Sequence, residues 1–365
     1  ETVITKNIGL DLGFLNNRLN VSFDAYIRDT KDMLMAGKTL PGVYGASSPR
    51  MNVADLRTKG WEASVTWGDS FTLASKPFNY RIMAGIGDNT SKVTKYDNPN
   101  RTLTDPYEGQ QLGEIWGYVV DGYFKTDEEA RNYKVDQSFV NQMINASALD
   151  NGLHAGDLKF VDLDGNNKIE QTTSANDRKD MKVIGNSLPR YNYNFGISAD
   201  WYGIDFSVLF QGIGKQNWYP GAETSMFWGP YSRPYASFIP SDFMSQVWSE
   251  ENTNAYFPRP RGYVALGSNR ELAVVNTKYL QNLAYCRLKN LSIGYTLPDK
   301  WLSKIGFEKI RVYFSGENLL TFTKLHSDYI DPEQASASNS WKTSKSDANI
   351  YPWAKTYSFG VDITF

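Results

Sequence analysis

Cysteine is almost missing. Cys286 is the single one in 365 residues, which excludes an internal disulfide framework. Histidine is nearly as scarce, and His154 and His326 both fall in loop-like sequence. Those two are all that could activate Cys286 or a serine, so nucleophilic catalysis of the Cys–His or Ser–His kind is disfavoured. No run of 18 apolar residues exists, which excludes a transmembrane helix but not a barrel, whose strands are apolar only at alternate positions. Charge of one sign is lacking too: 38 basic residues stand against 40 acidic, a net −2. That balance removes the electrostatic case for nucleic acid, while leaving room for a local basic patch. Glu1-Thr2-Val3-Ile4 has neither the basic region nor the apolar core of a signal peptide, so the start reads as a mature or an internal one.

Aromatics are what the sequence has in quantity: 23 Tyr, 19 Phe and 10 Trp. They favour strands and, for Tyr and Trp, boundaries between apolar and wet surroundings. Period-two alternation dominates the chain. Ile8, Leu10, Leu12 and Phe14 share one face, and after Asn16-Asn17 so do Leu19, Val21, Phe23, Ala25 and Ile27. The pattern returns at Trp61–Trp67, Tyr80–Ile86, Tyr193–Trp201 and Ile204–Phe210, and again at Leu291–Tyr295 and Ile310–Phe314. It is clearest at the end, where Tyr357, Phe359, Val361, Ile363 and Phe365 alternate with Ser358, Gly360, Asp362 and Thr364. Asp362 beside serine and threonine suits a wet lumen better than a dry core.

The expected strands lie near 3–14, 19–34, 52–67, 78–95, 190–201, 204–216, 278–296, 309–323 and 353–365. Their connections alternate short and long: Asn16-Asn17, 35–51, 68–77, 96–189, Tyr202-Gly203, 217–277, 297–308 and 324–352. Short turns on one side and long loops on the other is the asymmetry of an outer-membrane barrel, and a sandwich in one solvent has no reason to keep it. The expected fold is therefore all-β, an antiparallel transmembrane barrel segment of about nine strands with long extracellular loops. The first and last strands run the same way, so the count is odd. Residues 1–365 should leave the first strand without its upstream neighbour and should not close a barrel alone.

Several blocks resemble the C-terminal half of the SusC-like family of TonB-dependent transporters of Bacteroidota. They are Asn7–Leu19 (NIGLDLGFLNNRL), Tyr26–Leu34, Ala54–Trp67, Glu108–Tyr118 (EGQQLGEIWGY), Gly156–Ile169 (GDLKFVDLDGNNKI), Ile184–Gly196, Gln281–Pro298, Ile310–Lys324 and the final strand. The resemblance implies a 22-stranded barrel in the outer membrane of a Gram-negative bacterium, with 1–365 as its C-terminal part. It also implies partners: the remaining barrel and plug sequence, the TonB complex reached through it, a SusD-like surface lipoprotein, and outer-membrane lipids. Nothing in it calls for nucleic acid. The implied activity is energised import of an oligosaccharide or oligopeptide. A passive porin, a surface adhesin and a secreted glycan-binding β-protein are the alternatives.

Three groups of residues are candidates for function. Trp116, Tyr118, Trp218, Tyr219, Trp228, Tyr231 and Tyr235 sit in long loops, where they would contact substrate or the lid; packing against neighbouring loops competes with that role. Asp162, Asp164 and Asn166 place oxygen side chains at alternate positions, as at the start of a calcium loop. Asn167 stands where glycine is wanted, and the twelfth position, where a bidentate carboxylate belongs, is Thr173. An Asx-rich turn is the preferred reading, calcium the alternative, and no cofactor is required. Tyr357, Phe359, Val361, Ile363 and Phe365 face lipid, and the terminal aromatic resembles an assembly signal. Asp127-Glu128-Glu129 and Lys179-Asp180 read as solvated loop charge, and nothing places two carboxylates across a cleft as glycoside hydrolysis needs, so no enzyme is expected.

Overall fold

Nine antiparallel strands form one continuous sheet in which each strand pairs with the next in sequence. They are β1 (Thr2–Phe14), β2 (Leu19–Ala36), β3 (Arg50–Leu73), β4 (Lys76–Lys95), β5 (Arg190–Trp201), β6 (Ile204–Lys215), β7 (Tyr285–Thr296), β8 (Lys309–Thr323) and β9 (Thr356–Thr364). The structure is a computed structural model. It describes residues 1–37, 41–47, 49–140, 152–233, 238–260, 262–267, 270–302, 306–335, 345–346 and 351–365.

The tight turns are made where the chain tolerates positive φ. Leu15, Asn16 and Asn17 all take left-handed angles between β1 and β2, and Tyr202 and Gly203 do so between β5 and β6. The expected connection 68–77 is a correction. β3 and β4 run on and meet at Ala74-Ser75, again with positive φ at both residues. Phe71, Phe78 and Tyr80 pack together across that extension in tilted and edge-to-face contacts, with Phe71 and Phe78 centroids 5.0 Å apart, which supports pairing where alternation lapses. A second correction concerns β7, which begins at Tyr285. Gln281-Asn282 leaves the wall to pair with Asn217-Trp218.

The register reveals a tilted wall. A line of paired residues begins at Leu19, the first of β2, and passes through Trp67, Ile82, Ile197, Val208, Leu291 and Gly316 to Tyr357, the second of β9. Leu19 lies at the short-turn end and Tyr357 at the long-loop end. With about 4.8 Å between strands and about 3.3 Å per residue, the strands lean about 35° from the barrel axis, as a closed barrel demands. Among the described residues β1 and β9 each pair on one side alone, so the barrel is not closed within this chain.

The two faces of the wall differ in chemistry. Ile8, Leu10, Phe23, Ile82, Ile197, Ile293 and Val312 point outward and lie bare, as do the apolar residues of β9. Phe359 and Phe365 are 84% and 82% exposed, an apolar surface that water would not tolerate and a bilayer solvates. At the short-turn end Trp67 donates its indole N–H to the Tyr80 hydroxyl at 2.9 Å, and Trp201 donates to the Leu73 carbonyl at 3.1 Å. Such aromatics mark a membrane interface. The inner face carries a row of serines, Ser198, Ser207, Ser292, Ser315 and Ser358, on five successive strands. Arg311 on β8 reaches across Gly294 of β7 to make paired hydrogen bonds to Asp205 of β6, at 2.9 and 2.6 Å, and a third to Asp362 at 3.1 Å. A Cβ at Gly294 would lie 2.5 Å from the Asp205 carboxylate, so glycine is what lets the pair bridge a strand.

Gly60 of β3 serves the inner face in the same way, because the Tyr26 ring of β2 lies where its Cβ would be. Gly60→Ala is expected to destabilise the wall by about 1–3 kcal/mol through overpacking. Tyr26→Ala in the same chain should recover most of that. The loss temperature of the fast-migrating band on unboiled gels reads both variants, and equal temperatures for wild type and Gly60→Ala would refute the contact.

Candidate functional site: loop cap and lumen wall

The connections after β4, β6 and β8 fold into one cap above the wall. Glu114–Tyr118 pairs with Met181–Asn186, Val120–Tyr123 with Leu158–Phe160, and Asn217–Pro220 runs antiparallel to Gln281–Asn282. Thr126 caps the short helix Asp127–Arg131 by accepting the Glu129 N–H. Residues far apart in sequence meet in a core of Tyr118, Phe160, Trp218, Tyr219, Phe227, Trp228, Tyr231, Phe257 and Tyr279.

This core decides the fate of the expected contact residues. Trp218, Tyr219, Trp228 and Tyr231 are fully buried, and Tyr118 is buried with its ring edge-on to Phe160 at 5.8 Å. Each polar tip of three of them is used internally. The Trp228 indole donates to the Gly221 carbonyl at 3.0 Å, the Tyr219 hydroxyl to Leu272 at 2.8 Å, and the Tyr231 hydroxyl to Pro258 at 2.7 Å. These side chains have no surface to offer a substrate or a lid; they hold the cap together. Trp116 is half-buried, and Tyr235 lies outside the described residues.

Polar junctions tie the cap's connections to one another. The Asn276 amide donates to the Tyr219 hydroxyl at 2.9 Å and to the Val274 carbonyl at 2.9 Å, while its oxygen accepts the Lys278 and Tyr279 N–H groups. Arg259 donates to the buried Asp157 at 2.7 Å, linking the second long connection to the first. The third connection is held to β7 by Arg287, whose guanidinium reaches Asp331 at 2.6 Å, Glu333 at 2.5 Å and Thr321 at 3.0 Å. Lys289 adds two contacts of 2.9 Å to Glu333.

The acidic loop is reorganised relative to its linear reading. Asp162 and Asp164 do come together, with Asp180 as the third carboxylate, their ligand oxygens within 4.8 Å of one another. Thr173 leaves the twelfth position empty in the sequence, and the chain loops on for seven more residues before Asp180 arrives. No local spacing rule would have found it. The Asn166 amide donates to Asp164 and Glu170 at 3.2 Å each, and its oxygen accepts the Lys168 N–H at 2.8 Å. Burial pushes the Asp180 carboxyl above its ordinary range, against the N–H groups of Glu170 and Leu163, and the charges of Asp164 and Asp162 push it the same way. The three carboxylates could hold one hard cation, which would relieve that repulsion.

A polar hollow of about 360 Å³ opens on the inner face of β2–β5, lined by Ser22, Asp24, Glu62, Asn192 and Asn194 among others. A bare apolar exterior, a hydrophilic interior and a folded cap over long loops is the arrangement of a large outer-membrane pore. The family described as TonB dependent receptor-like, beta-barrel, matches residues 1–319. The chain belongs to this family. Its barrel is an outer-membrane barrel of the SusC-like kind. TonB-dependent receptor P3 of Formosa agariphila is 28% identical over 384 residues, across all of this chain and 34% of its own length. TonB-dependent receptor SusC of Bacteroides thetaiotaomicron is 23% identical across all of this chain and 32% of its own. Among solved structures, the RagAB peptide importer in its open-open state superposes with a TM-score of 0.70 at 22% identity, over 99% of this chain and 34% of that one. The chain thus spans about a third of the length of the curated relatives it matches.

Proposed function

We propose that these residues form part of the wall and the surface cap of a transporter that imports an oligosaccharide or oligopeptide, with energy supplied through TonB. The observation that carries this reading is the contrast of faces: the wall is apolar outside and hydrophilic inside, beneath a cap built from the long loops. A sugar or peptide crosses a pore of that kind without meeting lipid. The open edges at β1 and β9 call for the remaining barrel strands, and a plug would fill the lumen. SusC and RagAB relatives support a SusD-like lipoprotein seated on the cap. Uptake of a labelled nutrient by cells carrying the full-length receptor tests the reading. Uptake should stop when TonB is deleted and the lipoprotein should co-purify. Uptake that persists without TonB would leave a passive porin.

Two residue groups enter this reading. The outward apolar row Tyr357, Phe359, Val361, Ile363 and Phe365 acts as an assembly signal in this reading, and Phe365→Ala should lower the yield of heat-modifiable barrel several-fold; an unchanged yield counts against it. Calcium is assigned to Asp162, Asp164 and Asp180. Millimolar calcium should raise the Tm of the cap, and Asp180→Asn should abolish the rise. Equal shifts in both proteins would place the cation elsewhere.

A further inference from the structure

At the long-loop end of β8, strand alternation turns Leu320 and Phe322 outward, where both are exposed, and Thr321 and Thr323 inward. Beside these threonines a cavity of about 230 Å³ opens, bounded by Asn318, Asp328, Tyr329 and Trp353. It is smaller than the roughly 300–1,000 Å³ of a site that swallows a whole drug-sized ligand, so it suits one unit of a longer chain.

Two aromatic rings stand half-exposed at this cavity. Trp353 is positioned by its backbone N–H, which donates to Asp331 at 3.0 Å, and by Lys289, whose ammonium lies 5.7 Å from the ring centre. Tyr329 rests edge-to-face on Phe238 at 4.7 Å. Both rings are therefore placed before any ligand arrives, which reduces the entropy lost on binding. The cations nearest them are already matched: Arg287 by Asp331 and Glu333, and Lys289 by Glu333. Asp328 and Lys355 then add one charge of each sign. What remains for recognition is aromatic surface, the Asp328 carboxylate and the proton of the Thr321 hydroxyl, whose oxygen accepts from Arg287. The Thr323 hydroxyl is taken by the Ala284 carbonyl and the Leu325 N–H, and the Asn318 amide donates to the Ala354 carbonyl. The Asn318 side-chain oxygen is enclosed and accepts no hydrogen bond among the described residues.

We propose that this cavity is a subsite for one ring of an uncharged oligosaccharide. A sugar ring has an apolar C–H face to lie on Trp353 or Tyr329, and hydroxyls at its rim for the Thr321 hydroxyl and the Asp328 carboxylate. A charge-balanced wall gives no preference to the termini and ionised side chains of a peptide, nor to a uronic acid. The assignment rests on the import reading and narrows its substrate class.

Purified full-length transporter, probed on arrays of neutral glycans, uronic-acid glycans and peptides, tests it. Neutral glycans should bind, Trp353→Ala should weaken that binding at least tenfold, and Trp353→Phe should stay within threefold. Heat-modifiable mobility shows that each variant is folded. Capture of peptides alone, of acidic glycans alone, or of nothing overturns the subsite, as does neutral-glycan binding that Trp353→Ala leaves unchanged. The import reading fails separately: a glycan that binds through Trp353 but is not taken up by energised cells sinks import and leaves the subsite standing.

Discussion

Arg287→Ala should cost about 3–5 kcal/mol, because it strips the cation from a buried carboxylate. Arg287 and Asp331 are 3% and 4% exposed in their side chains, and the guanidinium also serves Glu333 and Thr321. Water cannot readily replace it. The third long connection would then lose its attachment to β7, and protease should cut within 324–355 much faster than in the wild type. Arg287→Ala combined with Asp331→Asn and Glu333→Gln should recover part of the loss, since no uncompensated charge remains. A single substitution costing under about 1 kcal/mol would mean that solvent reaches the cluster and that the pair is worth no more than a surface one.

Val208→Arg and Ser207→Arg form the second test, with the widest contrast between adjacent residues. Val208 faces outward between Ile197 and Leu291, and Ser207 faces inward between Ser198 and Ser292. An arginine near the middle of the lipid face of a barrel costs about 2–4 kcal/mol. At Ser207 the same charge meets a hydrophilic lumen and should cost well under half of that. The fraction folded into lipid vesicles across a urea series measures both. Equal penalties would show that the two faces have been assigned wrongly.

The corrections follow one physical pattern. Tyr and Trp suit a dry core with a hydrogen-bonded tip as well as a wet contact surface. Trp228 and Tyr231 are therefore ambiguous in sequence, and only the Gly221 and Pro258 carbonyls, which accept their hydrogen bonds, resolve them. The β3–β4 turn lies within the expected connection 68–77 but is only two residues long; the connection reads longer because Gly68-Asp69-Ser70 breaks the alternation. Cross-strand packing of Phe71 against Phe78 continues the ladder past that break. Asp180 reads in the sequence as solvated loop charge, yet it is fully buried beside Asp162 and Asp164, because a cation-binding loop is read by fixed spacing and here the third carboxylate comes from outside it.

By itself the sequence determined the wall. Alternation with period two, repeated from Ile8 to Phe365, fixes which side chains point outward, since neighbouring residues of a strand must face opposite ways. The lengths of the connections fix which ends carry loops. Both are local properties, and nine strands follow from them. The cap was decided only by tertiary structure. Its core joins Tyr118, Trp228 and Tyr279, its junctions join Asp157 to Arg259, and its anchorage joins Arg287 to Asp331. Loop residues carry no period that says which face is inward, so their burial depends on where the wall strands deliver the loop ends.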